Sequence, residues 1–418
     1  MPESVYPDGQ PTTDVIDQIR DIPIYRDSIE RGWFPILEKS EIARGFPDNW
    51  MTPQLAAALK RGEAEYVLST GTNHARMRLI RPPYFLLKTY YRLWNDHPDI
   101  GRTFREGCRR VSLTTVLATE HVARVNAAKR GVDPDPVPSL ADRRLDDRTV
   151  YLNLRLDPEQ WERDDIERMI GEIRSERRVH PRGWYHLDCS GLHLAHLVRK
   201  AIAWGIWDDF PRPASVVTAY EYTPANVRQY LEHHLGCPVV DLFGSTELGY
   251  LYYSDAAGVY HPHLDRMGVE LVPLAPGSAL HGLIVTSVRN PYMPLVRYRS
   301  GDCVRTSDDS PDPTKVVQFC GREKELLPTA DGPVSQGDLD ACVTASSPRI
   351  FLSQLRTTGP REATLRYTTF DGAPLDGASS TALEKLTSDL TGFACRSVHR
   401  TRIPIGASGK YAWLVRER

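Results

Sequence analysis

Apolar and polar positions in this chain follow two periods. Short apolar runs, closed off by Gly, Pro or Asp, recur at 65–68, 149–156, 214–218, 237–240 and 283–287, and each predicts a strand. Longer stretches repeat at helical spacing. Helices are expected at 14–20, 82–95 and 101–130, the last with apolar residues 113, 116, 117 and 122 on one face. Another opens at Pro158 and carries Trp161, Ile166, Met169, Ile170 and Ile173 as its core stripe. Gly183 to Ala195 reads as strand, turn and helix, with the helix running to Trp204. Pro224 starts a further helix that Gly236 ends. The runs 258–261 and 269–272 predict a hairpin. Successive strand–helix–strand units predict an α/β fold with parallel pairing and ligands at the carboxyl ends of the strands. After residue 326 the pattern changes to short strands around Ile350 and Leu365, a Gly/Ser-rich break at 371–380 and a helix at 381–391, a small α+β region.

At 418 residues the chain has room for two domains. A net charge of −2 gives no reason to expect nucleic acid or a membrane surface as partner. No run approaches the roughly 20 apolar residues that span a bilayer. The N-terminus lacks the basic and apolar regions of a signal peptide, and seven scattered cysteines suit a reducing compartment, so a cytoplasmic protein is expected. Only nine of the 52 cationic residues are lysine, which makes each lysine worth inspecting.

Four stretches carry chemistry. Val240-Asp-Leu-Phe-Gly-Ser-Thr-Glu-Leu-Gly249 runs from an apolar strand into a turn whose N–H groups and hydroxyls can face a ligand, with Glu247 placed to hold a cation or substrate group. Upstream, Tyr66-Val-Leu-Ser-Thr-Gly-Thr72 puts small hydroxylated residues around a glycine, a loop able to wrap phosphate oxygens. Downstream, Met293-Pro-Leu-Val-Arg-Tyr-Arg-Ser-Gly-Asp302 ends on a carboxylate that can accept hydrogen bonds from two neighbouring hydroxyls. Near the C-terminus, Gly409 lets the backbone carry Lys410 into a pocket.

In this order and at these separations the four stretches resemble the adenylate-forming ligases, specifically the phenylacetate–CoA ligase-like branch. The resemblance implies an adenylation domain of mixed sheets and helices over 1–321 and a mobile lid over 322–418, hinged at Arg322-Glu-Lys-Glu325. It implies ATP-dependent activation of a carboxylic acid, aromatic by the habit of the branch, followed by acyl transfer to CoA. Ser69, Thr70, Gly71 and Thr72 would take phosphates. Tyr220, Glu221, Asp241, Phe243, Gly244, Ser245, Thr246, Asp302 and Arg322 would line the nucleotide, with Phe243 on adenine and Asp302 on ribose. His186, Ala219 and Gly244 would border the acid. Lys410 would bridge carboxylate and α-phosphate, and Glu247 would steer Mg²⁺. A small-molecule acid, ATP and CoA are the expected partners, and the resemblance allows for a homodimer.

Departures from the family pattern leave alternatives open. Asn73 and His74 replace the usual continuation of the phosphate loop, which keeps a non-catalytic nucleotide-binding relative in view. An amine or hydroxyl acceptor in place of CoA stays open as well. Many relatives carry zinc where this chain retains only His261 and Cys320, too few for a four-ligand site, so no zinc is expected. His193 and His196 share a helix face, but no carboxylate or cysteine at ligand spacing completes a metal site with them.

Overall fold

A computed structural model describes residues 9–68, 77–359 and 361–416. Contacts divide the chain into two units, Met1–Asp96 with Leu242–Lys324 and His97–Asp241 with Glu325–Arg418. The architecture is α/β with mixed sheets, and it ends in a smaller α+β region, as the pattern predicts.

The second unit is built on a parallel sheet. Its strands lie in the order Thr149–Tyr151, Arg109–Leu113, Tyr185–Cys189, Ser215–Thr218 and the first three residues of Val239–Ser245. These strands are covered on both faces, and every residue of Tyr185–Cys189 is buried. Helices Val116–Arg130, Arg163–Arg177, Gly191–Ala203 and Ala225–Leu235 separate them along the chain. From Arg109–Leu113 the chain goes to one side and then returns past it to Tyr185–Cys189. The strand order therefore reverses between these two, the place where open α/β sheets bind ligands.

The helix expected over 101–130 is corrected here. Residues Arg109–Leu113 form a central strand between helices Gly101–Arg105 and Val116–Arg130. Leu113 and Val116 thus belong to different elements. A strand buried on both faces shows no period of two, so its apolar residues merged with those of the helix that follows.

The C-terminal part of this unit is a four-stranded sheet ordered Ala394–His399, Glu362–Thr369, Ile350–Gly359, Leu414–Arg416. Helices Gln336–Ser346, which has a Ser335/Asp338 capping box, and Gly377–Thr391 complete it. It has its own core around Leu355, Leu365, Leu383 and Trp413. Yet Phe351, Leu352 and Ile403 join the core of the parallel sheet. Polar groups reinforce the junction. The Asp340 carboxylate accepts from the Ala225 amide at 2.9 Å and the Tyr222 hydroxyl at 2.8 Å, capping helix Ala225–Leu235 from a distant part of the chain. The Asn226 amide donates to the Ser347 and Ile350 carbonyls at 2.9 and 3.1 Å.

The first unit holds an antiparallel sheet ordered Met267–Pro273, Leu280–Ser287, Leu295–Thr306, Val316–Arg322. Its core gathers Trp50, Ile80, Tyr252, Leu283 and Tyr298. The hairpin expected from 258–261 and 269–272 does not form. Tyr260–Pro262 pairs with Gly249–Ser254, and Met267–Pro273 pairs with Leu280–Ser287. Both runs alternate well enough to be strands, and only long-range pairing selects their partners.

Replacing Asn226 by alanine leaves two buried carbonyls without their donor and should cost roughly 2–4 kcal/mol. Urea denaturation should show a lower midpoint at unchanged slope. An unchanged midpoint would mean that 347–350 does not rest on this helix in solution.

Candidate functional site

The turn containing Glu247 is tighter than its sequence suggests. The strand continues through Ser245 and reverses at once into Gly249–Ser254, with Ser245 paired to Gly249. Gly244 is required by a close approach: a Cβ there would lie 2.4 Å from the Gly249 carbonyl oxygen. Gly249 itself has φ +77°, the left-handed region that a side chain resists. The Ser245 hydroxyl accepts from the Leu248 amide at 3.3 Å and closes the turn.

This geometry holds Glu247 almost fully buried. Its Oε1 accepts from the Tyr298 hydroxyl at 2.9 Å, and Lys39 Nζ stands 3.8 Å away. Among the described residues none donates a hydrogen bond to Oε2, which leaves that oxygen available to a cation. Burial first, then the Glu247 charge and its hydrogen bond, push the Tyr298 hydroxyl far above its usual range, so it remains a donor. Lys39 is placed by main-chain pairing: the Leu37 amide donates to the Arg297 carbonyl and the Arg299 amide to the Leu37 carbonyl. Neither Lys39 nor Tyr298 figured among the expected site residues, although Tyr298 lies inside the stretch Met293–Asp302.

Asp302 lies on Leu295–Thr306, the strand that also carries Tyr298, and is buried as well. Cross-strand register sets it opposite Arg322, whose Nε stands 3.1 Å from its Oδ1. Its own amide donates to the Ser300 hydroxyl at 3.1 Å, which fixes the backbone leading into it. Burial raises the Asp302 pKa, Arg322 lowers it and the Glu247 charge raises it again. Phe243 stacks on Phe319 with centroids 3.8 Å apart, so one of its faces is already covered. Arg299 binds Glu323 at 2.8 Å, which ties down the first part of the expected hinge.

The second unit gathers the other expected residues at the strand reversal. Leu113 is followed by Thr115 and Cys189 by Ser190, the N-caps of helices Val116–Arg130 and Gly191–Ala203. Two helix N-termini therefore open at one place, which favours an anion. Ser190 donates to Glu221 Oε1 at 2.5 Å and meets His193 Nδ1 at 3.0 Å. Tyr220 has φ +77°, and its hydroxyl reaches Asp188 at 2.5 Å, where Arg110 also binds. Asp241 accepts from Thr218 at 2.7 Å. The Ala219 amide is spent on the Cys189 carbonyl. His186 is fully buried with Nδ1 2.7 Å from the Ser215 hydroxyl, and burial, then Arg110 and His97, drive its pKa well below the usual value. Gly409, with φ +72°, lies so close to Thr115 that a Cβ would fall 2.1 Å from its hydroxyl oxygen, and half-buried Lys410 follows at the same spot.

Glu247, Phe243 to Thr246, Asp302 and Arg322 thus share the first unit, with Thr246 in the hairpin turn itself. Tyr220, Glu221, Asp241, His186, Ala219 and Lys410 share the second. Ser69, Thr70, Gly71 and Thr72 lie outside the described residues, as do Asn73 and His74. His261 pairs with Asp255 at 3.0 Å, and the Cys320 thiol faces Gln318. Among the described residues no three His, Cys, Asp or Glu side chains converge as a metal site, and no helix is long and apolar enough to cross a membrane.

No protein-family model and no curated protein matches this sequence. Solved structures do match by fold. A 2-hydroxyisobutyryl-CoA ligase in the postadenylation state, in complex with 2-HIB-AMP, superposes with a TM-score of 0.64 at 13% identity, over 97% of this chain and 88% of that one. A benzoate CoA ligase from Burkholderia xenovorans LB400 gives 0.55 at 14% identity, over 83% and 67%. An anthranilate CoA ligase in complex with anthranoyl-AMP gives 0.54 at 14% identity, over 83% and 65%. At such identities the likeness establishes a common fold.

The Glu247 turn should tolerate no side chain at its crossing point. Gly244→Ala drives a Cβ into backbone rather than a yielding side chain, at a cost of about 3 kcal/mol or more. Thermal unfolding should start several degrees lower, whereas Gly171→Ala, inside helix Arg163–Arg177 with open space around its Cβ position, should cost nothing. Equal losses would show that the hairpin does not close as described.

Proposed function

We propose that this chain activates a carboxylic acid with ATP as an acyl-adenylate and then passes the acyl group to CoA. The observation that carries this reading is the burial of two carboxylates in the first unit, Glu247 in the turn before Gly249–Ser254 and Asp302 on Leu295–Thr306, with a cation beside each, in a chain that has the fold of CoA ligases. Within that fold the motif order favours the phenylacetate–CoA ligase-like branch and an aromatic acid. The solved neighbours include ligases for aliphatic and for aromatic acids, so the substrate panel needs both.

In the first step a carboxylate oxygen bonds to the α-phosphorus while the bond to the leaving pyrophosphate breaks. Two anions must meet, so catalysis rests on alignment and on positive charge near the α-phosphate. Lys410, beside two helix N-termini, supplies that charge. Asp302 takes the ribose hydroxyls, with Arg322 keeping it ionised. The open Oε2 of Glu247 suits Mg²⁺, whose other ligands would be phosphate oxygens and water, the usual set for this ion. When bound, Mg²⁺ would offset the charge of the leaving pyrophosphate. In the second step the thiol sulfur bonds to the acyl carbon, its proton goes to solvent, and AMP leaves with the former carboxylate oxygen.

We read residues 322–418 as a lid that turns between the two steps. Arg322 and Glu323 are held by Asp302 and Arg299, which leaves rotation to Lys324 and Glu325.

The test is acid-dependent exchange of pyrophosphate into ATP with Mg²⁺. Exchange should appear with at least one carboxylic acid and fall steeply in Asp302→Ala. ATP binding without exchange over a broad panel would favour a non-catalytic nucleotide-binding relative. The pH profile adds a signed expectation. Asp302 works ionised, so activity is lost as pH falls through its pKa. Arg322 lowers that pKa, so Arg322→Gln should move the acid limb to higher pH. A limb that stays put would remove Asp302 from the step.

Lys410→Ala should abolish exchange yet still convert supplied acyl-adenylate to thioester in single-turnover assays. Loss in both halves would mean a structural role. Transfer to an amine or hydroxyl but not to CoA would reassign the acceptor.

A further inference from the structure

We propose that Tyr411 and His196 form a latch that positions Lys410 for adenylate formation and has to open before acyl transfer. The inference rests on the reading of Lys410 given above, but the contacts that carry it belong to other residues.

The turn bearing Lys410 is short and internally closed. The Gly406 amide donates to the Lys410 carbonyl and the Gly409 amide to the Gly406 carbonyl, both at 2.9 Å. On the N-terminal side of the lysine, Gly409 rests on the Thr115 N-cap with no space for a side chain. On its C-terminal side, the Tyr411 amide faces Glu221 Oε2 at 3.4 Å, and the Tyr411 hydroxyl lies 2.9 Å from His196 Nε2. The phenol and imidazole rings are within 19° of parallel. Lys410 is therefore gripped by both neighbours, and one grip is a single side-chain hydrogen bond.

His196 is an unyielding partner. It is fully buried on helix Gly191–Ala203, with the edge of its ring against Phe351 at 4.6 Å. Arg199 donates to its Nδ1, and Glu159 Oε2 stands 3.4 Å from the same atom. Burial, then the charges of Arg199, His193 and Lys200, push its pKa well below the ordinary value, so the imidazole is neutral. With Nδ1 accepting, Nε2 carries the proton and donates to the Tyr411 oxygen. Burial likewise raises the Tyr411 phenol, with help from Glu221, so the hydroxyl stays protonated. A neutral bond of this kind contributes about 1 kcal/mol net, enough to bias a lid and weak enough to open within a catalytic cycle.

Tyr411→Phe keeps the ring and removes the acceptor. Adenylate formation in a single turnover should slow about fivefold, with KM for acid and ATP unchanged, because the lysine is present but less well held. Thioester formation from supplied acyl-adenylate should be as fast as in the wild type or faster. His196→Gln, which keeps a donor of similar reach, should retain more of the adenylation rate than His196→Leu. A second readout needs no substrate: backbone amides between 403 and 413 should exchange hydrogen markedly faster in Tyr411→Phe than in the wild type, with 185–203 unchanged. Wild-type adenylation in Tyr411→Phe, or equal loss in both half-reactions, would overturn the latch. If wild-type protein activates no acid, the proposed function fails first, and hydrogen exchange alone decides the latch. Unaltered exchange at 403–413 would then sink it.

Discussion

Two carboxylates buried side by side have to stay charged, and the first unit is arranged around that requirement. Moving a carboxylate out of water costs several kcal/mol, and a second one nearby adds repulsion. An opposite charge about 4 Å away returns about 4 kcal/mol at the effective dielectric of a protein surface. Asp302 has Arg322, Glu247 has Lys39, and the Tyr298 hydroxyl gives Glu247 a hydrogen bond it would otherwise lack. These helpers come from three separate parts of the chain. Strand register delivers Arg322, and the pairing of Leu37 with the strand through Tyr298 delivers Lys39. The sheet is thus a device for bringing counter-charges to carboxylates.

The second unit solves a different problem, that of making one place receptive to anions. Reversal of strand order at Arg109–Leu113 and Tyr185–Cys189 opens two helix N-termini together, and the Thr115 and Ser190 caps leave amide dipoles facing that opening. The lysine-bearing turn settles against Thr115, adding a positive charge to the helix dipoles. Tyr220, held at positive φ by its bond to Asp188, shows that the backbone after the strand Ser215–Thr218 is strained to keep its shape.

The C-terminal region joins this unit through Phe351, Leu352 and Ile403 as well as through Asp340 and Asn226. A region with that much contact is not free to swing. Any turning of it would have to trade these interactions for others, the Tyr411–His196 bond next to Lys410 among them. Asp340 illustrates the balance. Burial raises its pKa, while the Ala225 amide and Tyr222 hydroxyl hold it down.

The candidate residues for chemistry stand out in the sequence because each sits in a local motif. A carboxylate after a Gly turn and a lysine after a glycine need only their neighbours to be noticed. The α/β class was legible too, since alternation of strand and helix is a short-range pattern. Three things were not. The strand Arg109–Leu113 is buried on both faces and carries no periodic signal, so it was absorbed into a helix. The pairing of Tyr260–Pro262 and Met267–Pro273 with other partners depends on strands that lie elsewhere in the chain. Lys39 and Tyr411 take their places by position rather than by type, and only folding brings them to Glu247 and His196. The sequence by itself determined which groups could do chemistry. The tertiary structure decided which charges face one another, because screening and attraction depend on distances of a few ångströms that no spacing along the chain can specify.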